Sequence, residues 1–316
     1  MRDKCLLLAL LAVCLGGSGC DFLNRIGVKP KPKDGIGTGP IADLPSEKFV
    51  SYLNAQAAHL QSVRYDDVSL KATDENGDLP RLNEGTLVCS RPRNFRVISG
   101  HILTSGSEVD VGSNDREFWM YVKRPQQTFV YCSHEDFARG KASLPVPFEP
   151  AWVLEALGMS TYDPAVPYAI DVNQKERVYF LSFDAKTPNG EAVRKTIVFA
   201  GDRAGGDRPQ VMKHVVQDAN RKTVATAEVK EVRNVTTTDP TSGQPVTVQI
   251  PTRVVLEWPQ QKFKMEMVLG RAKVNEALPP KDFDYFFTRP DIRGANPINL
   301  ADTRSSGFGT ARGQMR

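Results

Sequence analysis

The side chains best suited to chemistry in this 316-residue chain are its five cysteines and four histidines. The string CSHEDF (residues 132–137) gathers a thiol, an imidazole and two carboxylates, the groups that bind metal ions and transfer protons. Neighbouring residues of a strand point to opposite faces, so His134, Glu135 and Asp136 do not converge on one ligand. We therefore interpret this string as a strand end that enters a loop, with neither a catalytic nor a metal role.

The other histidines, His59, His101 and His214, stand far apart in the chain with no partner at a fixed spacing. The sequence contains no H-E-x-x-H, no paired C-x-x-C, no G-x-S-x-G and no phosphate-binding glycine loop. It therefore predicts a protein that is not an enzyme and uses no cofactor. A net charge of only +4, without a basic stripe interleaved with aromatic residues, argues against nucleic acid as a partner.

Cys89 and Cys132 each lie within an apolar run that is typical of a strand. In an oxidising compartment two such thiols form a disulfide if their strands are neighbours, and closing the loop stabilises the fold by about 3–5 kcal/mol. A sequence does not give the distance between two Cα atoms. Two alternatives therefore remain open, a Cys89–Cys132 disulfide and a pair of buried free thiols.

The three N-terminal cysteines, Cys5, Cys14 and Cys20, belong to a different pattern. A short basic start precedes the apolar run CLLLALLAVCL (5–15), which contains Cys14 and has the length of a secretory signal, too short to span a bilayer. The string GGSGC that follows resembles the bacterial lipobox, whose cysteine receives a diacylglycerol thioether and becomes the mature N-terminus, although Gly17 stands where the lipobox prefers Leu. The resemblance implies a signal peptide over residues 1–19 and lipidation of Cys20. Ordinary signal-peptide cleavage, which leaves Cys20 a free thiol, is the alternative.

Two segments rich in Pro, Gly and polar residues flank the rest of the chain. Residues 20–43 contain no sustained apolar period, which predicts a flexible tether that reaches at most about 80 Å when fully extended. Residues 289–316 have a similar composition and predict a disordered tail. Residues 44–288 show no composition break and no second apolar run of spanning length, so we expect one domain there.

Strand patterns dominate that domain. The string KFKMEMVL (262–269) alternates apolar and charged residues, placing Phe263, Met265, Met267 and Leu269 on one face. The stretch 246–258 alternates in the same way. Four turn signals, at residues 74–77, 188–190, 201–207 and 239–243, separate such runs and can close antiparallel hairpins. The pattern predicts a mainly β protein.

Two segments predict helices instead. Ser46 suits an N-cap, and apolar residues follow it at helical spacing up to Leu60. The string PFEPAWVLEALGM (147–159) places Trp152 and Leu157 on one face of a second, shorter helix, with Gly158 suited to end it.

The order of these elements resembles the bacterial lipoprotein-localisation proteins LolA and LolB. The resemblance rests on GTLVCSRPRNFRV (85–97), on VGSNDREFWMYVKRPQQTFVY (111–131), and on PPKDFDYFF (279–287), which is similar to that family's closing strand. It implies a curved antiparallel half-barrel sheet with an N-terminal helix and a short lid helix, whose concave face holds acyl chains. The cavity lining that it implies comprises Trp152 and Leu157 on the lid helix and Trp258, Phe263, Met265 and Met267 on the sheet. Ordinary core packing is the alternative for each of these residues.

Taken together, the sequence predicts a non-catalytic lipoprotein that is anchored to a membrane of the cell envelope and faces the periplasm. Its half-barrel would bind an acyl chain or a lipidated partner protein. The alternative is an envelope sensor or scaffold that binds another protein and whose cavity is filled by side chains. A hydrolase of unrecognised geometry is the weakest of the three hypotheses, and the sequence leaves the oligomeric state open.

Overall fold

The computed structural model describes residues 40–100, 107–123, 127–142, 150–201 and 210–303. The described residues from Ile41 onward belong to one compact unit. The predicted signal peptide, Cys20, most of the predicted tether and His101 lie outside the described residues, as do the first three residues of the predicted lid helix.

The described elements are five α-helices and fifteen strands. The helices are α1 (Ser46–His59), α2 (His134–Ala138), α3 (Pro150–Ala156), α4 (Pro280–Phe287) and α5 (Leu300–Thr303), and a 3₁₀ turn spans Pro259–Gln261. The strands are β1 (Ser62–Asp74), β2 (Gly77–Asp78), β3 (Leu82–Ser90), β4 (Asn94–Gly100), β5 (Ser107–Ser113), β6 (Glu117–Val122), β7 (Thr128–Ser133), β8 (Ala169–Asn173), β9 (Val178–Lys186), β10 (Ala192–Ala200), β11 (Val211–Asp218), β12 (Thr223–Thr238), β13 (Pro245–Trp258), β14 (Phe263–Val274) and β15 (Ile298–Asn299).

All the described strands belong to one sheet. Its order is β15-β7-β6-β5-β4-β3-β1-β14-β13-β12-β11-β10-β9-β8, with β2 paired to β1 beside this path. Neighbouring strands are antiparallel, apart from the short parallel pair of β15 and β7. The sheet is curved, and because β8 and β15 end the order without pairing to each other, it stays open. The mainly β half-barrel that the sequence predicts is confirmed.

The alternating pattern at residues 262–269 sets the two faces of the sheet. In β14, Met267 and Leu269 are buried, and Met267 pairs in register with Val254 of β13. We call this side of the sheet the inner face. Helices α1 and α3 pack on it, whereas α4 packs on the opposite, outer face against Val88 and Ile98.

Glycine residues close three of the predicted turns. Gly77, Gly190 and Gly243 have φ angles of 120°, 86° and 69°, a region that L side chains rarely adopt. Gly77 begins β2 directly after the β1–β2 turn, and Gly190 and Gly243 lie in the β9–β10 and β12–β13 turns, which confirms three of the four turn signals. Most of the fourth, at 201–207, lies outside the described residues.

The N-terminal helix packs its apolar stripe on β9 and β10. Phe49 lies between Tyr179 and Phe199, with ring centroids 4.9 Å from each. The sequence places the N-cap one residue too late, because Pro45 precedes the first helical residue, Ser46, and no side chain caps the helix. The prediction of an amphipathic helix before the first strand is otherwise correct.

The string PPKDFDYFF (279–287) forms helix α4, so its interpretation as a closing strand is wrong. Pro280 occupies the first turn, where its fixed φ suits a helix and its missing N–H costs nothing. Phe286 and Phe287 then reach the outer face, while Phe283 and Tyr285 stay exposed. The aromatic content suggests a strand, but the proline at the start decides for a helix.

The predicted disordered tail is ordered in its first part. Arg289 stacks on Tyr131, Ile298 pairs with Val130 of β7, and Leu300 of α5 packs near Cys132. Composition alone missed this because the segment has no core of its own and is held by the sheet edge that it covers. Residues from 304 onward lie outside the described residues.

Candidate ligand-binding face

The six residues predicted to line a lipid cavity all lie in one apolar cluster on the inner face. Four of them, Trp152, Leu157, Trp258 and Met267, are buried, and the other two, Phe263 and Met265, are partly buried. Trp152 of α3 meets Trp258 of β13 edge to face, with ring centroids 5.5 Å apart. Helix α3 therefore covers this part of the inner face, as a lid helix would.

The inner face also contains a small cavity of about 50 Å³. It lies between α1, the end of α3 and strands β11 to β13, and Leu157 is the one residue of the predicted six that borders it. Sites that enclose small organic ligands usually measure about 300–1,000 Å³. A cavity of this size has room for only a few water molecules, so the structure shows the inner face in a closed form.

Four polar groups meet between α3 and the sheet, and we call them the polar cluster: Trp152 and Glu155 of α3, Lys195 of β10 and His214 of β11. The Lys195 Nζ atom lies 2.5 Å from the Glu155 Oε1 atom, and each of these side chains is only 14% exposed. The Trp152 indole N–H is buried without a hydrogen-bond partner. His214 is 5% exposed and borders the cavity, yet no described hydrogen bond reaches its ring.

Sheet register explains how these side chains meet. His214 of β11 pairs with Ile197 of β10 and with Ala227 of β12, both buried on the inner face. Lys195 lies two residues before Ile197 and therefore points to the same face. Helix α3 brings Glu155 down from above.

Burial dominates the electrostatics of the polar cluster. It lowers the pKa of His214 to about 4, with Glu155 opposing and Lys195 reinforcing that shift, so this imidazole is neutral at neutral pH. Burial also raises the pKa of Tyr162, which borders the same cavity, well above its ordinary value.

The segment after α3 is fastened separately to α1. The Asn54 side chain donates from Nδ2 to the Tyr162 carbonyl at 2.8 Å and accepts the Tyr162 N–H at 2.7 Å. Helix α3 therefore contacts the sheet through the Glu155–Lys195 ion pair. The chain after α3 is held at Tyr162 by Asn54 of α1.

Sequence reasoning did not single out Glu155 and Lys195, and it left His214 without a role. One pattern could have found Lys195: Val193, Lys195, Ile197 and Phe199 alternate as inward positions, so a charged residue stands in an apolar series. The meeting with Glu155 depends on how α3 docks, which no local pattern contains.

Cys89 and Cys132 are buried free thiols, so the disulfide alternative is wrong. Their register shows why, because Cys89 pairs with Phe95, Phe95 with Ser113, Ser113 with Phe118, and Phe118 with Cys132. Four strand spacings, about 19 Å, separate the two cysteines. A disulfide needs Cα atoms within about 7 Å.

The CSHEDF string runs from the end of β7 into α2, close to its interpretation as a strand end. Ser133 caps α2 by accepting the Asp136 N–H at 3.0 Å. The His134 Nε2 atom lies 2.8 Å from the Asn114 carbonyl oxygen. Within the described ranges, no three His, Cys, Asp or Glu side chains are grouped so as to hold a metal ion.

Comparison with solved structures identifies the architecture. A domain from Vibrio parahaemolyticus that is named for outer membrane lipoprotein sorting superposes with a TM-score of 0.50 at 10% identity, covering 76% of this chain and 98% of that one. The protein has a LolA-like fold. A DUF1329 family protein from Desulfovibrio piger (TM-score 0.48, 9% identity, 76% and 95% coverage) and a LolA superfamily protein from Nitrosomonas europaea (0.44, 9%, 76% and 97%) are also similar.

Other comparisons add nothing to this LolA-like assignment. No family model matches the sequence, and no curated protein matches it. Among the described helices, none combines the length and the apolar composition that crossing a membrane requires.

Proposed function

We propose that this protein is a non-catalytic binding protein of the cell envelope, whose inner face accepts an acyl chain from a lipid or an acylated protein when α3 moves aside. The observation that carries this proposal is the polar cluster between α3 and the sheet. Buried polar groups in a permanent core are nearly always hydrogen-bonded, yet the Trp152 N–H has no partner.

The Glu155–Lys195 pair supports the same conclusion. A buried ion pair usually stabilises a fold no better than well-packed apolar residues would, because both charges lose their hydration. If α3 served only as core, replacing both Glu155 and Lys195 with apolar residues would cost the fold little or would stabilise it. If α3 is a lid that opens, the ion pair makes opening easier, because both charged side chains regain their hydration when α3 moves away.

A location at the cell envelope has support of its own. The name of the Vibrio domain refers to outer membrane lipoprotein sorting, which is consistent with binding of acylated molecules at the envelope. We further propose that Cys20 carries the lipid anchor and that the tether over residues 20–43 lets the domain face the periplasm. Labelling cells with a fatty-acid analogue tests the anchor: the wild type takes up label and fractionates with membranes, and Cys20→Ala loses both. An unlabelled wild type contradicts it.

A second candidate is an envelope sensor or scaffold that binds another protein. The small cavity favours it, because an inner face filled by α3 leaves about 50 Å³ rather than the several hundred of an occupied ligand site. In that case α3 is permanent core and the ligand surface lies elsewhere.

Native mass spectrometry of the purified protein distinguishes the two candidates. The acyl-binding function predicts an added mass that organic extraction removes and that chromatography identifies as a lipid in molar proportion. The Cys20→Ala protein is the appropriate sample, because its own anchor cannot be mistaken for ligand. Protein that stays lipid-free, also after incubation with membrane lipid extract, contradicts the acyl-binding function and leaves the scaffold.

A further inference from the structure

We propose that Lys195 and His214 form a subsite for an anionic head group, a carboxylate or a phosphate, and that Glu155 occupies this subsite while no ligand is bound. This inference rests on the proposed function and adds the chemical class of the ligand. An acyl chain would then lie on the apolar cluster with its charged end at β10 and β11.

A carboxylate already lies at the position of the proposed head group. The Glu155 carboxylate contacts the Lys195 ammonium at 2.5 Å, on a side chain that the sheet holds in place. A ligand carboxylate or phosphate makes the same charge-assisted contact. Displacing Glu155 exchanges one anion for another at Lys195, and α3 takes Glu155 with it into solvent.

His214 has unused hydrogen-bonding capacity. Its ring is 5% exposed, borders the cavity and takes part in no described hydrogen bond. Its hydrogen-bonding capacity is therefore open to a water molecule or to a ligand that enters the cavity. His214 belongs to β11 rather than to α3, so it remains in position when the cover opens.

Sheet geometry places the two groups at a suitable spacing. Lys195 pairs in register with Val216, two residues beyond His214, so the two side chains are diagonal neighbours on the inner face. Diagonal neighbours lie about 7–8 Å apart between strands, and long side chains converge across that distance. One carboxylate or phosphate group can therefore contact both.

Charge balance predicts a proton linkage. His214 faces Glu155 of α3, Lys195 of β10, Tyr162 after α3 and Tyr52 of α1, and Glu155 is the one anion among them. Glu155 already favours the charged form of His214 through its charge alone, and a ligand anion that also contacts the ring favours that form further and raises the pKa of His214. Binding therefore takes up a proton, and affinity for the anionic ligand falls as pH rises above about 4.

Three matched probes test the subsite on the full exported chain with Cys20→Ala. Each probe is a 16-carbon chain with a fluorescent group at its methyl end, and the head groups are a carboxylate, a phosphate monoester and a methyl ester. We expect the two anionic probes to bind at least about tenfold more tightly than the ester, the effect of one charge-assisted contact. The tighter of the two anionic probes indicates whether a free fatty acid or a phospholipid is the source.

Two variants assign the preference to the subsite. Lys195→Met should reduce the preference for anionic probes to less than about threefold, whereas Lys195→Arg should keep it. Lys230→Met is the matched control, because Lys230 pairs with Glu228 on the exposed surface. His214→Gln should flatten the pH dependence of anionic binding, and circular dichroism verifies that each variant is folded.

The outcomes separate the two proposals. Equal affinity of the wild type for all three probes overturns the anionic subsite and leaves acyl binding intact. Absence of binding for every probe overturns both. A preference for anionic probes that Lys195→Met leaves unchanged also overturns the subsite, and if that variant fails to fold, the pH dependence of wild type against His214→Gln decides.

Discussion

Lys195 Nζ lies 2.5 Å from Glu155 Oε1, and this contact joins strand β10 to helix α3 across the inner face. The two residues are 40 positions apart in the chain, and each side chain is only 14% exposed. Neither group has the full hydration of a surface charge. The stability of the closed form therefore depends on both partners being present.

Removing one partner of this pair should cost more than removing both. We expect Lys195→Met to lower the free energy of unfolding by about 2 kcal/mol, because Glu155 then keeps a partly buried, uncompensated charge. The double variant Glu155→Met/Lys195→Met should recover most of that loss. Urea denaturation measures both values, and Lys230→Met, in an exposed pair, should change stability by less than about 0.5 kcal/mol. A double variant that is no more stable than the single one contradicts this account.

Acid should destabilise the fold through His214. Burial lowers the pKa of this residue to about 4, so the unfolded chain binds a proton near pH 6.5 that the folded chain does not bind until about pH 4. The stability that neutral His214 contributes is complete above pH 6.5 and declines as pH falls to 4, by about 3 kcal/mol in all.

The measurement is the free energy of unfolding as a function of pH for the wild type and for His214→Gln. The pKa of His134 is also lowered by burial and acts in the same direction, so the difference between the two proteins isolates His214. Parallel curves between pH 4 and 6.5 would show that His214 is not the group responsible.

The strands of this protein can be predicted from the sequence more easily than its helices. The alternation in β14 is local, so the faces of Met267 and Leu269 can be predicted without the rest of the fold. Helix α4 cannot be recognised as easily, because FDYFF has a strand's composition and only Pro280 indicates a helix start.

The candidate site is harder to predict than the fold. The apolar residues of the inner face follow from alternation and from the resemblance to LolA. The polar cluster requires the register of β10 with β11 and the docking of α3, and both are long-range relationships. For the same reason the sequence leaves open whether Cys89 and Cys132 pair.

A second buried ion pair, on the outer face, provides a control for stability effects. Arg96 contacts both carboxylate oxygens of Asp110, at 2.9 and 2.6 Å, and donates to the Tyr285 carbonyl of α4 at 2.5 Å. We expect Asp110→Asn to destabilise the protein by about 3 kcal/mol, because it leaves the Arg96 charge buried and unpaired.

Acyl binding should survive that change, since the Arg96–Asp110 pair lies on the opposite side of the sheet from α3. The measurements are urea denaturation and titration with the labelled fatty acid under conditions where the variant is folded. Loss of acyl binding in folded Asp110→Asn would place the binding surface on the outer face, near the exposed Tyr285.

The buried thiols offer a further check on the structure. Cys89 and Cys132 should resist alkylation by a maleimide in the native Cys20→Ala protein and should both react in urea, because burial raises their pKa and excludes the reagent. Mass spectrometry counts the added groups. A denatured, non-reduced protein that takes up no reagent at these positions would mean that the two cysteines are bonded.

The measurement that tests the central proposal most directly is photochemical labelling with a fatty acid whose chain carries a diazirine. If the inner face holds acyl chains, peptide mapping finds the label on α3 and on β13–β14, at residues such as Trp152, Leu157, Met265 and Met267. Unlabelled palmitate suppresses that label. Label confined to the outer face around Phe283 and Tyr285, or label that palmitate does not suppress, contradicts the account.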